Sequence, residues 1–429
     1  MSVTARAEIG SALQQKFRRL PNGLQRTIVA RDEQWVSKVR PVAPVADGAA
    51  KAWAVARLQA APLEAPKHER NLRIVDVFSG CGGFATGFAE AASAIGARAT
   101  FAAAIDLDEM ALATHAHNLK TRLKLRRDAA SLVDFAVSSS DGARRFAYAP
   151  TILNKDLAAL AGHCDVVIGG PPCQGHSNLN NHTRRSDERN LLYLVVPAIA
   201  IALDAPLVII ENVTTVLRDQ RNVVAQASQI LGNAGYRVTE VILRAEEFGV
   251  PQLRRRHFLI ASRRAEVDLT GAASLRMPMI TAWDAISDLA DIEITADYDR
   301  PTALTPTNQA RVDFLFDRDL HDLPNDQRPD CHKDGHTYPS VYGRMKRDEP
   351  CLTITGGFLQ PGQGRFIHPT RPRALTPHEG ARLQGFSDGF KFVGPNDLKL
   401  SRKDYAQMIG DSVPPPLAYV AAMLGLMSL

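Results

Sequence analysis

Residues Leu72–Gly83 read LRIVDVFSGCGG, a run of mainly apolar residues that ends in three glycines. A short apolar run bounded by turn residues is typical of a buried β-strand. The glycines allow the chain to turn tightly and allow a ligand to approach the backbone closely. The next stretch, Phe84–Gly96, has a composition compatible with a helix. Together the two stretches predict a strand, a glycine turn and a helix, which is the start of a βαβ unit.

Further short apolar runs continue this pattern along the chain. A second strand is predicted to end near Ile105, and others lie in Cys164–Cys173, Pro206–Val213 and Arg256–Ser262. Short Val/Ile strands that alternate with helices predict an open, mostly parallel α/β sheet with helices on both faces. Ligands bind at the carboxyl ends of the strands in such sheets. The residues expected at those ends, and therefore in one site, are Ser79–Gly83, Asp106, Cys173 and Glu211.

The composition divides the chain into four segments. Residues 1–70 are alanine-rich and basic, and we expect either a helical arm or a poorly ordered leader. Residues 71–262 carry the alternating strands and helices of the main ligand-binding domain. Residues 263–371 are rich in proline, aspartate and glycine, which predicts a smaller domain built mainly from loops. Residues 372–429 are regular again and are expected to return to the first domain.

Composition limits the partners of the 429-residue chain. Its net charge of +5 fits a polyanionic partner without proving one. The five cysteines show no CxxC spacing, which predicts reduced thiols in a cytoplasm. Cys331, His332 and His336 have no second pair of ligands nearby, so no metal site is expected. No apolar run approaches the length of a membrane span, so we expect no membrane partner.

Two acidic residues are candidates for ligand contacts. The spacing Phe78-x-Gly80-x-Gly82 differs from the GxGxxG of nicotinamide enzymes. Asp106 ends the second predicted strand, where an acid can accept hydrogen bonds from both hydroxyls of a ribose. Asp156, in the sequence NKDL, can accept from an adenine amino group. The alternative for both acids is a helix N-cap or a solvated surface position.

The segment Gly169–Ser177, GGPPCQGHS, fixes Cys173 between two glycines, two prolines and a further glycine. A structural cysteine is usually a small apolar residue inside a strand or helix and needs no such surroundings. A nucleophilic cysteine needs a fixed, partly exposed position that favours the thiolate. The segment therefore predicts that Cys173 is a nucleophile.

Six motifs, in order, resemble those of the DNA cytosine-5 methyltransferase family, from about residue 72 to the end of the chain. The motifs are DVFSGCGG (Asp76–Gly83), GPPCQGHS (Gly170–Ser177), ENV (Glu211–Val213), PQLRRR (Pro251–Arg256), LTPHEGARLQGF (Leu375–Phe386) and IGDSVPPPLA (Ile409–Ala418). The resemblance implies the Rossmann-like sheet of the S-adenosylmethionine-dependent methyltransferases, with a target-recognition domain at residues 263–371. It also implies that residues 71–262 form the catalytic, cofactor-binding domain.

The resemblance assigns roles in a reaction on DNA. The carbon at position 5 of cytosine is a weak nucleophile, and addition of a thiolate at C6 makes it enamine-like. Cys173 is expected to add there, and Glu211 to hydrogen-bond N3 and the exocyclic amine. Arg254 and Arg256 are expected to supply positive charge near the cytosine O2 and near Glu211. Because the target carbon is stacked inside a duplex, the base must first be flipped out.

The resemblance also implies two sets of binding residues. The residues expected to contact the cofactor, S-adenosyl-L-methionine, are Phe78, Gly80, Gly82, Asp106, Asp156, Pro172, Leu192, Asp411 and Ser412. Asp411 stands where the family has asparagine, which changes the charge beside the methionine part of the cofactor. Residues 177–190 resemble the family's mobile catalytic loop. The residues expected to contact DNA are Ser177, Arg184, Arg185, Arg189, Arg344 and Arg365.

Two other functions remain open from the sequence. A methyltransferase that acts on transfer RNA would share the catalytic centre, but the long segment 263–371 favours duplex DNA. An inactive DNA-binding homologue would lack Cys173, Glu211 or Arg256, and all three are present. We expect a sequence-specific monomer in the bacterial cytoplasm, associated with the nucleoid. A cognate restriction endonuclease is expected as a functional partner rather than a physical one.

Overall fold

The computed structural model describes residues 13–41, 48–61, 63–140, 143–172, 188–334 and 340–429. Its strands are β1 (Leu13–Leu20), β2 (Gly23–Ala30), β3 (Glu33–Val39), β4 (Leu63–Glu64), β5 (Arg70–Val77), β6 (Ala97–Asp106), β7 (Leu123–Arg126), β8 (Val133–Asp134), β9 (Val137–Ser140), β10 (Ala143–Phe146), β11 (Thr151–Ile152), β12 (Val166–Gly169), β13 (Leu207–Val213), β14 (Arg237–Arg244) and β15 (Arg255–Ser262). Its helices are α1 (Ala49–Leu58), α2 (Gly83–Ala94), α3 (Glu109–Leu119), α4 (Lys155–Ala158), α5 (Val195–Ala202), α6 (Val223–Asn233), α7 (Gly271–Ser274), α8 (Ala282–Ile286), α9 (Pro306–Asp317), α10 (Pro377–Gln384), α11 (Arg402–Asp411) and α12 (Pro415–Leu426).

A seven-stranded sheet organises the described part of the chain, in the order β14-β15-β13-β12-β5-β6-β7. The neighbours from β13 to β7 pair in parallel, which confirms the predicted α/β architecture. Strand β15 is antiparallel to both β13 and β14. Because of this reversal, the amino end of β15 lies at the carboxyl end of β13, where Arg256 pairs with Val213.

Helices α2 and α12 cover one face of the sheet, and helices α5 and α6 contribute to the core on the other face. The closest approach on the first face is at Gly87 of α2. A β-carbon there would lie 2.1 Å from the carbonyl oxygen of Pro415, so only glycine fits. Helix α12 therefore returns from the C-terminal end of the chain to pack on the first βαβ unit.

The described residues before β5 form a four-stranded antiparallel sheet, β1-β2-β3-β4, with α1 packed on it. The expectation of a helical arm or a poorly ordered leader is therefore wrong for these residues. Burial alternates along β1 with the period of two that a half-buried strand shows. Strands β2 and β3 are joined by Arg31 and Asp32, both at positive φ (50° and 67°), as a two-residue hairpin turn requires.

Residues 263–371 fold mainly as loops, as predicted. Within their described part, the regular elements are the helices α7, α8 and α9, several single 3-10 turns and isolated bridges such as Arg344–Ile367. Strand β15 ends just before this segment and α10 follows just after it. In the part of the chain that the structure describes, no helix is both long and apolar enough to cross a membrane.

Candidate active site

The glycine turn after β5 is held in a conformation that few residue types adopt. Phe78, Gly80 and Gly82 have φ angles of 58°, 51° and 98°. Such angles cost a non-glycine residue roughly 1–2 kcal/mol, so Phe78 is held in place by its surroundings. A β-carbon at Gly83 would lie 2.5 Å from the carbonyl oxygen of Val413. The turn is thus packed directly against the segment that joins α11 to α12.

The Asp106 carboxylate closes this turn against the end of β6. One oxygen accepts the N–H of Gly80 at 2.7 Å and the other accepts the N–H of Asp108 at 2.9 Å. Burial raises the pKa of Asp106, and these N–H groups oppose that rise. A carboxylate has about four acceptor positions, so both oxygens can still accept ligand hydroxyls. The predicted ribose contact is compatible with this geometry and stays a prediction.

Asp156 does not lie at this edge of the sheet. It lines a cavity with Asn71, Arg73 and Thr100, which belong to the first halves of β5 and β6. The amino ends of parallel strands lie at the opposite edge from their carboxyl ends. The prediction that Asp156 contacts the adenine in the same site as Asp106 is therefore wrong.

The acid that the structure places near Asp106 is Asp128. Strand β7 pairs with β6 so that its last residue, Arg126, lies beside Asp106. Asp128 follows two residues later, is exposed, and accepts the N–H of Ala130 at 3.0 Å. The strand before Asp128 was not predicted from the sequence because β7 has four residues and two of them are cationic. The signal that could have identified Asp128 is its position as an acid just after the end of a third strand.

Glu211 and Arg256 form the central ion pair of the site. The Arg256 Nε lies 2.9 Å from the Glu211 Oε1, and both side chains are largely buried. Burial raises the pKa of Glu211, and the charges of Arg256, Arg254 and His257 oppose that rise. The antiparallel direction of β15 brings Arg256 here. The result is a buried carboxyl group whose pKa is raised and whose position is fixed by a guanidinium.

The backbone that leads to Cys173 is fixed beside Glu211. Strand β12 runs parallel to β13, with Gly169 beside Ile210. A β-carbon at Gly170 would lie 3.7 Å from the Glu211 Oε2. The Asn212 side chain donates a 3.2 Å hydrogen bond to the carbonyl of Pro171. Partly buried Pro172 is the last described residue of this segment.

Several predicted residues lie outside the described part of the chain. They are Cys173, Ser177, Arg184 and Arg185, and the side chain of Arg189 also lies outside it. Leu192 is described: it is partly buried in a 3-10 helix, Glu188–Leu194, and packs on the second face of the sheet.

Arg254 is near enough to Glu211 for its charge to act on that carboxyl, as expected from the motif, but its hydrogen bonds go elsewhere. Its guanidinium is buried and donates to the carbonyls of Ile354 (2.9 Å), Gly410 (3.2 Å) and Ser412 (3.2 Å). Its charge lowers the pKa of Glu211, but these hydrogen bonds go to the recognition segment and the C-terminal motif. Arg254 is therefore a positioning residue that joins three parts of the chain.

The residues around Arg254 extend this connection. The backbones of Leu253 and Cys351 are joined at 2.8 Å, and those of Cys351 and Pro251 at 2.9 Å. The Gln252 amide donates to the side chain of Gln384 at 2.7 Å, and its oxygen accepts the N–H of Ile354 at 3.0 Å. The strand that carries Arg256 is thus bonded to the segment around Cys351–Ile354.

The last motif approaches the glycine turn through Ser412. Its hydroxyl donates to the carbonyl of Met408 at 2.6 Å and lies 3.1 Å from the Cys81 sulfur. Asp411 is exposed at the end of α11. Loss of solvent raises the pKa of Asp411, Arg254 lowers it, and Asp108 raises it further. Asp411 is thus close enough to Asp108 for their charges to interact, and its contact with the cofactor stays a prediction.

The residues at this edge fit a nucleoside with a charged tail. The Ser79 hydroxyl is buried and has no hydrogen-bond partner among the described residues. Leu107, directly after Asp106, exposes 66% of its surface, which gives an apolar face beside an acid. Asp106 and Asp128 supply acceptors for hydroxyl and amino groups. This combination of groups suits S-adenosylmethionine.

Two arginines predicted to contact DNA already have protein partners. Arg344 lies 3.0 Å from Asp319, donates to the carbonyl of Pro369 at 2.8 Å and stacks over Phe316 at 4.2 Å. Arg365 lies 2.5 Å from Asp322. Both ion pairs tie loops of the recognition segment together. A contact with DNA by either arginine would have to compete with these bonds.

The strand order and the edge that carries Glu211 and the glycine turn define a methyltransferase with a Rossmann-like sheet. Residues 72–423 match the C-5 cytosine-specific DNA methylase family, and the chain belongs to that family. It is 37% identical over 358 residues to Type II methyltransferase M1.BsuMI of Bacillus subtilis, covering 82% of this chain and 80% of that protein. It is 26% identical to Type II methylase M.HgiDII of Herpetosiphon aurantiacus, covering 81% of this chain and 93% of that protein.

The fold is also similar to that of solved structures. Entamoeba histolytica methyltransferase EhMeth superposes with a TM-score of 0.54 at 18% identity, covering 83% of this chain and 98% of that one. These similarities confirm the resemblance and the fold predicted from the motifs.

Proposed function

We propose that this chain is a sequence-specific DNA cytosine-5 methyltransferase of a restriction–modification system. The observation that carries the proposal is the Glu211–Arg256 ion pair, 2.9 Å long, beside the strand end that leads to Cys173. The Type II relatives support the assignment to restriction–modification. A cognate endonuclease would be a functional partner, and the chain would act as a monomer on DNA in the bacterial cytoplasm.

The reaction starts with a cytosine flipped out of the duplex, because its ring carbons are inaccessible in the stack. The Cys173 thiolate adds to C6, and the electron pair released toward C5 makes that carbon nucleophilic. After C5 has gained the methyl group, it loses its proton and the thiolate leaves C6. The product is 5-methylcytosine and the enzyme thiol is regenerated.

Glu211 stabilises the ring during the attack. Its raised pKa favours the protonated carboxyl, which can donate to N3 as negative charge develops there. Arg256 holds the carboxyl in position and offers positive charge toward O2. Asn212 keeps the backbone before Cys173 beside this pair.

S-Adenosyl-L-methionine would supply the methyl group when bound at the glycine turn. Asp106 would accept from the ribose hydroxyls and Asp128 from the adenine amino group. Phe78, Gly80 and Gly82 shape the turn, and Pro172, Leu192, Asp411 and Ser412 complete the proposed surroundings. The duplex would be held by residues 177–190 and by the recognition segment.

The test combines a mechanism-based trap with a matched variant. Purified protein is incubated with labelled S-adenosylmethionine and genomic-sequence duplexes that contain 5-fluorocytosine, beside Cys173→Ser. Release of the thiolate requires loss of the proton at C5, and in 5-fluorocytosine a fluorine replaces that proton. The thioether should therefore persist as a labelled covalent adduct in the native protein and be absent from the variant. Mapping the adduct would give the recognised sequence. Transfer to transfer RNA instead of any duplex would overturn the choice of DNA, and cofactor binding without transfer to either would indicate an inactive homologue.

A further inference from the structure

Two adjoining cavities open at the edge of the central sheet opposite the active site. They have volumes of about 370 Å³ and 420 Å³ and share Asn71, Thr100 and Arg122 in their walls. The other residues used below are Arg70 and Arg98 in the first cavity and Arg73 in the second. We call these six residues the amino-edge site, since they lie in the first halves of β5 and β6 or just before β7.

Four arginines meet in this small region. The register of β5 and β6 pairs Arg70 with Ala97, Asn71 with Arg98 and Arg73 with Thr100. Neighbouring strands lie about 4.8 Å apart and alternate residues share a face, so Arg73 and Arg98 leave the sheet on the same face, while Arg70 leaves it on the other face at the strand end. All four arginines are exposed, and among the described residues no ion pair joins their guanidinium groups to a carboxylate. The Asp165 carboxylate accepts the backbone N–H of Arg73 at 2.7 Å. Close like charges are unfavourable, and an anion would relieve them.

The second cavity also has an apolar part, formed by Ala102, Leu123 and Leu160, but most of the polar side chains that face the two cavities are hydrogen-bond donors. The Thr100 hydroxyl donates to the Asn71 side-chain oxygen at 2.6 Å, which leaves the Asn71 amide nitrogen with its donors available. Each guanidinium adds donors and no acceptor. Guanidinium groups match the oxygens of a phosphate in pairs. The donor set therefore selects an anion with several oxygens.

The acids at the cavities are fewer than the arginines. Glu69 lines the first cavity and Asp156 the second, against four arginines in the two together. Among the described residues, no group of three or more His, Cys, Asp or Glu side chains could hold a metal ion. The local charge thus remains positive and does not suit a cation.

We propose that the amino-edge site binds phosphate groups, and that the DNA backbone outside the recognition cleft is their source. A free nucleotide carries the same chemistry and is the other source. The site lies at the edge of the sheet away from Glu211, so the proposal does not depend on the methyl-transfer mechanism. Binding there would give the enzyme a second, sequence-independent contact with DNA.

The experiment compares two double variants with the native protein. Arg98→Gln/Arg122→Gln removes two charges from the site, and Lys16→Gln/Lys38→Gln removes two exposed charges from β1 and β3 as the control. Inorganic pyrophosphate should raise the melting temperature of the native protein and the control but not that of the site variant. Equal shifts in all three proteins, or no shift in any, would overturn the proposal.

A second measurement distinguishes the two sources. Binding to a poly(dA)·poly(dT) duplex, which offers no target cytosine, is followed by anisotropy over a range of salt concentrations. The logarithm of the DNA-binding constant falls linearly with the logarithm of the salt concentration, and each phosphate contact contributes about 0.9 to the magnitude of that slope. If DNA occupies the site, the magnitude of the slope should be smaller in the site variant by roughly one to two. An unchanged slope with a lost pyrophosphate response would assign the site to free phosphates. Methyl transfer at saturating DNA should persist in the site variant and its single variant Arg98→Gln, which shows that both are folded.

Discussion

The imidazole Nε2 of His115 lies 3.0 Å from the carboxylate of Asp76, and both side chains are excluded from solvent. The other ring nitrogen lies 2.9 Å from the Thr121 hydroxyl. A β-carbon at Gly82 would lie 3.0 Å from the His115 ring. Burial raises the pKa of Asp76, and His115 opposes that rise. The pair thus supports the glycine turn from inside the protein.

Removal of one partner of this pair should destabilise the protein and weaken cofactor binding. His115→Leu leaves the Asp76 carboxylate buried without its partner, and such losses cost about 3–5 kcal/mol. Thermal unfolding and equilibrium dialysis with S-adenosylmethionine measure the two effects. His117→Leu, on the exposed side of the same helix, is the control and should change neither. A His115→Leu protein as stable as the control would contradict the supporting role.

Replacement of Glu211 should affect the chemical step. Glu211→Gln keeps the shape but cannot transfer a proton, so kcat should fall by a factor of about 10² to 10⁴ while cofactor affinity is retained. Because the raised pKa keeps Glu211 protonated at low pH, native kcat should decline as pH rises through that pKa. The variant should lack this decline in a pH profile of single-turnover transfer. Glu240→Gln on neighbouring β14 provides the carboxylate control.

The two acids Asp128 and Asp156 should differ in their effect on the cofactor. Asp128→Ala should weaken S-adenosylmethionine binding about tenfold or more, since a lost hydrogen bond to a charged group costs about 1.5–3 kcal/mol. Asp156→Ala should leave the affinity unchanged because that residue lies at the opposite edge. Isothermal titration calorimetry compares them directly. The reverse result would restore the assignment made from the sequence.

The stability of the protein should depend on His378 above neutral pH. Its ring nitrogens lie 2.8 Å from Asp299 and 2.8 Å from Asp388. Burial lowers the pKa of His378, but the carboxylates outweigh it, so the folded pKa is raised above 6.5. The stabilisation is therefore complete below pH 6.5 and is lost as pH rises through the folded pKa.

A series of urea unfolding curves from pH 6 to pH 9 tests this dependence. The free energy of unfolding of the native protein should fall across the range, and that of His378→Gln should be lower at pH 6 and flatter with pH. Parallel curves for the two proteins would exclude His378 as the titrating group.

The contact between α2 and α12 should not tolerate a methyl group at residue 87. Gly87→Ala introduces a β-carbon 2.1 Å from the Pro415 oxygen and 2.6 Å from the Ala418 β-carbon. The helices must separate, which should cost about 1–3 kcal/mol. Gly232→Ala in α6 meets no atom within 4 Å and should be neutral or stabilising by up to about 1 kcal/mol. Melting temperatures of the two variants check the contrast.

Local patterns were sufficient to predict the parallel strands and the glycine turn. Strand β5 and the end of β6 lie where the apolar runs indicated, because buried parallel strands need continuous apolar residues. The positions of Glu211 and the glycines follow from those strand ends. The same reasoning could not give the direction of β15, since an apolar run is equally compatible with either direction.

The errors have physical causes of the same kind. Asp128 caps one short helical turn and Asp156 lies in the first turn of another, so only the sheet order shows which of them lies beside Asp106. The DNA contacts of Arg344 and Arg365 stay a prediction, but their ion pairs could not be foreseen because the partners, Asp319 and Asp322, are distant in the chain. The N-terminal sheet was not predicted because the segment was judged by its alanine-rich, basic composition, and the alternation of buried and exposed residues in β1 was not used.

The bonds between Pro251–Arg254 and Cys351–Ile354 have a consequence for the exchange of DNA specificity. A graft that replaces the whole of residues 263–371 with a foreign recognition segment would also remove the carbonyl of Ile354 that receives Arg254. The grafted enzyme would then recognise a new DNA sequence, but the strand that carries Arg256 would have lost one of the hydrogen bonds that hold it in place. A functional exchange therefore needs a junction before Cys351, so that the acceptor backbone stays with its own arginine.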